Sequence, residues 1–150
     1  MKQRLDYRNT DPKALKGMLK IEKYVASSNL KRDLCELVKL RASQINGCAY
    51  CIDMHTMDAL GIGETRQRLD ALEEWRKTSF FSERERAALA WTEALTLISE
   101  SEISDTLYKT VLGFFSEKEL IALTMAVIAI NGWNRLAISF KAVPGTYVPG

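Results

Sequence analysis

Histidine occurs once in this chain of 150 residues, cysteine and proline three times each and glycine eight times. With so little proline and glycine, and no repeat, linker or low-complexity stretch, nothing marks a boundary inside the chain. Residues 1–150 therefore read as one domain, long enough to bury roughly 68–70% of its unfolded surface. Charge of one sign is missing too: 21 basic and 19 acidic residues are scattered to a net +2. No Lys/Arg cluster is interleaved with aromatic residues, so a nucleic-acid partner is not expected. The most apolar run, Leu120 to Ile130, is about half the length that spans a bilayer and reads as a buried helix. The N-terminus, Met-Lys-Gln-Arg-Leu-Asp-Tyr-Arg, carries charges where an export signal needs an apolar stretch. Three cysteines without an export signal imply a reducing cytoplasm and reactive thiols, not a structural disulfide framework.

What is present is helical periodicity. Asp11-Pro12 opens a helix to about Ser27, with Leu15, Met18, Leu19, Ile21 and Val25 on its apolar side. A second helix runs from about Asn29 to Asn46, carrying Leu30, Leu34, Leu37, Val38, Arg41 and Ile45 at steps of three and four. Gly47 marks a break, because glycine is costly inside a helix and favoured just beyond its end. A third helix spans Cys48 to Gly61 and a shorter one Glu64 to Arg76. Ser82-x-x-Glu85 and Ser116-x-x-Glu119 are capping boxes that open helices to about Ser99 and Phe140. Ser104 caps a short helix between them, and residues 141–150 form an irregular tail. No segment alternates at period two, so the fold class is all-α.

The chemistry concentrates between Glu36 and His55. Cys48 and Cys51 are three residues apart and His55 follows four later, so one helical stripe carries all three side chains. Two thiols able to close a disulfide, with an imidazole beside them, form a redox constellation. If the chain turns back at Gly47, Glu36 and His55 lie on antiparallel helices at heights differing by roughly one turn. A Glu36–His55–Cys51–Cys48 relay follows, in which the carboxylate orients the imidazole and the imidazole handles the thiol proton.

The pattern Glu36, Cys48-Ala-Tyr-Cys51, His55, with Gln44-Ile-Asn-Gly47 before it and Asn131-Gly-Trp-Asn-Arg-Leu-Ala137 later, resembles the alkyl hydroperoxidase D and carboxymuconolactone decarboxylase superfamily. The peroxidase-like branch is the nearer one, and the likeness covers roughly Leu30 to Phe140. It implies an all-α, AhpD-like fold assembled as a homo-oligomer, a trimer or hexamer, with the site near a subunit interface. It implies a thiol-dependent hydroperoxide reductase that needs no metal, haem or other cofactor. Cys51 would attack the peroxide, Cys48 would resolve the sulfenic acid to a disulfide, and Glu36 and His55 would relay the proton. An external thiol, suggested by the family to be a lipoylated protein, would restore the pair. Tyr50 stands where the best-studied members carry a second histidine. A phenol with a pKa near ~10 is a poorer proton carrier at neutral pH, which leaves Tyr50 a supporting role and the relay shorter.

Rival readings are weaker. The helix dipole acts within the first turn and favours Cys48 as the acidic thiol, whereas proximity to His55 favours Cys51. Zinc could take Cys48, Cys51, His55 and Glu36, but structural zinc sites draw on two separated ligand pairs and no second pair exists. A redox-sensing or thiol–disulfide exchange adaptor with little turnover is the alternative function. Lactone decarboxylation is disfavoured because it uses no thiol pair. Cys35, beside Leu34 and Val38, reads as a small buried hydrophobe. Trp75, Phe80, Phe81 and Trp91 read as packing or subunit contacts, and the stripe from Leu120 to Ile128 as a core or interface helix. Asn131, Trp133, Asn134 and Arg135 brace either the redox stripe or a neighbouring subunit.

Overall fold

Side-chain caps decide where most of the helices begin. In the computed structural model, which describes all 150 residues, every regular element is helical. Asp6 caps the one-turn helix α1 (Tyr7–Thr10), and a 3₁₀ turn (Pro12–Leu15) leads into α2 (Lys16–Ala26). The long helix α3 spans Arg32–Asn46 and α4 spans Ala49–Gly61. Thr65 caps α5 (Arg66–Asp70), which a 3₁₀ segment (Leu72–Lys77) follows. Both capping boxes form as expected, Ser82–Glu85 opening α6 (Glu83–Thr96) and Ser116–Glu119 opening α8 (Glu117–Ser139), while Ser104 caps α7 (Asp105–Leu112).

Helix α3 is the centre of the molecule and packs against α4, α6 and α8, with α2 lying on α8. Val38, Ala88, Leu123 and Val127 are fully or almost fully buried where α3, α6 and α8 meet. Leu37, Leu40, Leu72, Trp75 and Leu89 form a second core under the 3₁₀ segment. The smallest core joins Ala42, Ile130 and Ala137 to Cys48 and Cys51, so the cysteine pair is itself packed between the α3–α4 hairpin and α8.

Several boundaries differ from those expected. Asp11 makes no side-chain cap and the first turn after it is 3₁₀. The second helix starts at Arg32, not Asn29, because Lys31 is extended (φ −67°, ψ 143°). The segment from Glu64 to Arg76 is two elements: Leu69, Leu72 and Trp75 are buried at three-residue steps, a spacing that eclipses in a 3₁₀ turn and drifts in an α-helix. Helix α8 is long and apolar enough, by length and composition, to cross a membrane. Here Leu120, Leu123, Val127 and Ile130 are buried on one side, while Ile121 and Ile128 are about half exposed on another. Trp75, Phe81 and Trp91 are buried within the chain and Phe80 is exposed.

Candidate active site

Only Gly47 and Cys48 connect α3 to α4. Gly47 takes φ +68°, a left-handed conformation that costs roughly 1–2 kcal/mol with any Cβ present. Its N–H donates to the Gln44 carbonyl and that of Cys48 to the Ser43 carbonyl, the two bonds of a Schellman ending. Cys48 then caps α4 in turn, its Sγ accepting from the Cys51 N–H at 3.3 Å. This short link returns the chain antiparallel, and Cys48 and Cys51 are joined as a disulfide across the first turn of α4. Both are almost completely buried.

The turn also brings His55 back to Glu36. His55 Nδ1 lies 2.8 Å from Glu36 Oε2, with both side chains under a tenth exposed. Burial pushes the Glu36 carboxyl up, but the His55 hydrogen bond and the charges of His55, Lys39 and Arg32 outweigh it and hold the group below its usual range. His55 is thus anchored through one nitrogen. Its other, Nε2, is the one buried side-chain nitrogen or oxygen in the molecule without a hydrogen-bond partner. That atom belongs to a residue lining a cleft of about 530 Å³, which Glu36, Cys51, Tyr50 and Met54 also line.

The asparagines of α8 resolve the choice left open by the sequence in favour of the site within the chain. Asn46, at the end of α3, donates to Asn131 Oδ1 (3.0 Å) and Asn134 Oδ1 (2.9 Å), and Asn134 donates to Ser43 Oγ at 3.0 Å. Asn134 and Ser43 are completely buried. Because buried polar groups left without partners are costly, this clamp fixes the end of α3 immediately before the disulfide. Trp133 instead lines the cleft and donates to Glu22, while exposed Arg135 only bonds back to Asn131.

Three contributions escaped the sequence reading. Asp58 extends the 48–51–55 spacing by a further three residues, and its continuation of the stripe was the signal available. The tail is irregular in backbone, as expected, but it is docked: Gly145 N–H donates to Asp53 (2.9 Å) and Tyr147 Oη–H donates to Asp58 Oδ1 (2.7 Å), laying residues 146–148 along the cleft. Burial and the Asp58 carboxylate push the Tyr147 phenol up to about 12, so it stays a neutral donor. Tyr7 and Arg8, from the one-turn helix at the other end of the chain, complete the wall.

The zinc alternative needed two thiolates, and disulfide sulfurs are not thiolates. The side chains that approach as potential ligands, within 4.8 Å of one another, are Glu36, His55 and Asp58. Cys35 is buried away from the cleft, and burial pushes its thiol up to about 11.

The helical hairpin thus carries a disulfide and, beside the cleft that Cys51 lines, an imidazole anchored by a carboxylate. Residues 12–94 match the carboxymuconolactone decarboxylase family, and the chain belongs to it. The uncharacterised protein YdfG of Bacillus subtilis is 42% identical over 93% of this chain and 95% of its own length. A protein of unknown function from Agrobacterium tumefaciens, named for AhpD antioxidant defence, superposes with a TM-score of 0.93 at 38% identity, covering 97% of this chain and all of that one. The fold is therefore AhpD-like. An uncharacterised peroxidase-related protein from Silicibacter shares the fold at 19% identity, with a TM-score of 0.80 over 91% of this chain and 72% of its own.

Proposed function

We propose that the protein is a thiol-dependent hydroperoxide reductase of the cytoplasm. The observation that carries the reading is the arrangement at the cleft: a closed Cys48–Cys51 pair beside a histidine held by Glu36 through Nδ1, with Nε2 left free. In the reduced protein the Cys51 thiolate attacks one oxygen of a hydroperoxide and the O–O bond breaks. Cys51 becomes a sulfenic acid, and the departing alkoxide takes a proton from His55, whose positive charge Glu36 stabilises. The Cys48 thiol then displaces water from the sulfenic acid, and two equivalents of an external thiol reduce the disulfide again. Cys51 is assigned the attack because it is the cysteine that lines the cleft with His55. The antioxidant and peroxidase descriptions of the structural relatives support the same chemistry.

A lipoylated protein as reductant and assembly as a trimer or hexamer belong to the proposal, the exposed Ile121 and Ile128 on α8 being apolar surface available for a partner copy. Steady-state consumption of cumene hydroperoxide with dithiothreitol or dihydrolipoamide tests the function. Turnover in the wild type, lost in both Cys48→Ser and Cys51→Ser, supports it. Stoichiometric oxidation without turnover for either donor would leave a redox sensor or thiol–disulfide adaptor instead.

A further inference from the structure

We infer that the cleft selects ligands carrying a carboxylate beyond an apolar chain, and that Arg8 is the residue that receives it. Under the peroxidase reading, on which the substrate class rests, this means a carboxylated organic hydroperoxide such as a fatty-acid hydroperoxide. The cleft has a polarity from floor to rim. Its floor is buried and reactive, with Cys51, His55 and Glu36, while its rim is exposed at Arg8, Leu19 and Val148. The same cleft is lined by Ala137, Met54 and Trp133, surfaces suited to a carbon chain.

Charge is distributed unevenly along that path. The floor is acidic, holding Glu36 and Asp58. The second cation lining the cleft, Lys39, is neutralised by Glu22 at 2.7 Å. Arg8 forms no salt bridge, and the neighbouring acid Asp6 is engaged with Asn9 through both carboxylate oxygens. The guanidinium of Arg8 sits over the rings of Tyr7 and Trp133, 5.5 Å from each centroid. Stacking on two rings from distant parts of the chain holds the cation in place and leaves its N–H edge for an anion. A carboxylate drawn into the acidic floor would be repelled, so an anionic hydroperoxide orients with its reacting end inward.

Calorimetric titration of the disulfide form with octanoate and with 1-octanol tests the site without any turnover. Wild type is expected to bind octanoate roughly ten-fold more tightly, the size of one charge-assisted hydrogen bond, and to lose that preference as salt is raised. Arg8→Gln abolishes the preference and Arg8→Lys restores part of it. A second arm compares kcat/KM for a fatty-acid hydroperoxide and its methyl ester, whose ratio collapses in Arg8→Gln. Equal affinity for octanoate and octanol in the wild type, or a preference that survives in Arg8→Gln, overturns the inference. Binding preference without turnover of either hydroperoxide overturns the peroxidase reading and keeps Arg8 as a carboxylate site. Turnover of acid and ester at equal efficiency does the reverse.

Discussion

Glu36 and Glu93 are two carboxylates withdrawn from solvent on neighbouring helices, with side chains 8% and 15% exposed. Burial pushes both upward and hydrogen-bonded partners hold both below the usual carboxylate range. Their surroundings differ in one respect. Glu93 is closed on every side, accepting from Arg41 Nε (2.9 Å), Trp75 Nε1 (2.8 Å) and the Arg76 guanidinium, which ties α3, α6 and the 3₁₀ segment together. Glu36 accepts from His55 alone, and the far nitrogen of that histidine is left open beside a cleft and a disulfide. A closed network specifies structure, whereas an open one has a site at which a proton can enter or leave. Under the proposed function, the contrast separates a group that braces from a group that serves the reaction.

The largest effect should come from the sulfurs. Cys51→Ser or Cys48→Ser removes the two-electron couple, and thiol-dependent peroxide consumption should fall to background while helical circular dichroism is retained. Next comes the pair of carboxylates. Glu36→Gln keeps an acceptor for Nδ1 but loses the charge that stabilises a protonated imidazole, so kcat/KM for cumene hydroperoxide should drop by about 10²-fold in protein that is still fully folded at the assay temperature, with a smaller fall in melting temperature than Glu93→Ala shows. Glu93→Ala should show the opposite pattern, losing about 1–3 kcal/mol of stability in urea titrations with turnover retained in the folded fraction. A Glu93 variant that folds normally but cannot turn over peroxide, or a Glu36 variant that merely melts early, would erase the distinction.

Acid should act on both groups in the same direction. Each has a folded-state pKa below its ordinary value of 4.5. The stability they contribute is therefore fully present above pH 4.5 and lost as pH falls through the depressed folded values. Thermal unfolding between pH 5 and 3 should steepen toward acid in the wild type and flatten in a Glu36→Gln/Glu93→Gln double variant; parallel curves would contradict the assignment. The smallest effect belongs to Cys35. With its thiol pushed up to about 11 and its side chain packed among apolar neighbours, it should resist iodoacetamide at pH 8. Cys35→Ala should leave turnover unchanged.

The parts of the molecule written in local spacing were legible beforehand. Both serine–glutamate capping boxes, the turn at Gly47 and the pairing of Cys51 with His55 on one side of α4 follow from neighbours within one helical turn, whereas Cys48 lies just outside α4 as its cap. Even the meeting of Glu36 with His55 follows, because a two-residue link at a known glycine fixes the register of a hairpin. Trp133 and the asparagines of α8 were visible as unusual residues, but which surface they served depended on how α8 lies across α3. The rest was invisible for a physical reason. Tyr7, Arg8 and Tyr147 come from the two ends of the chain, where no periodicity speaks, and they reach the cleft only once the bundle has formed. The 3₁₀ segment was misread because a buried row at three-residue spacing mimics a short α-helix in sequence.

One equivalent of hydroperoxide added to the fully reduced protein tests the proposed chemistry most directly. Mass spectrometry of alkylated digests should show Cys48 and Cys51 converted together to the intramolecular disulfide, through a transient sulfenic acid on Cys51 that persists in Cys48→Ser, with Cys35 still free. Thiols at Cys48 and Cys51 that survive the peroxide, or oxidation that lands on Cys35, would contradict it.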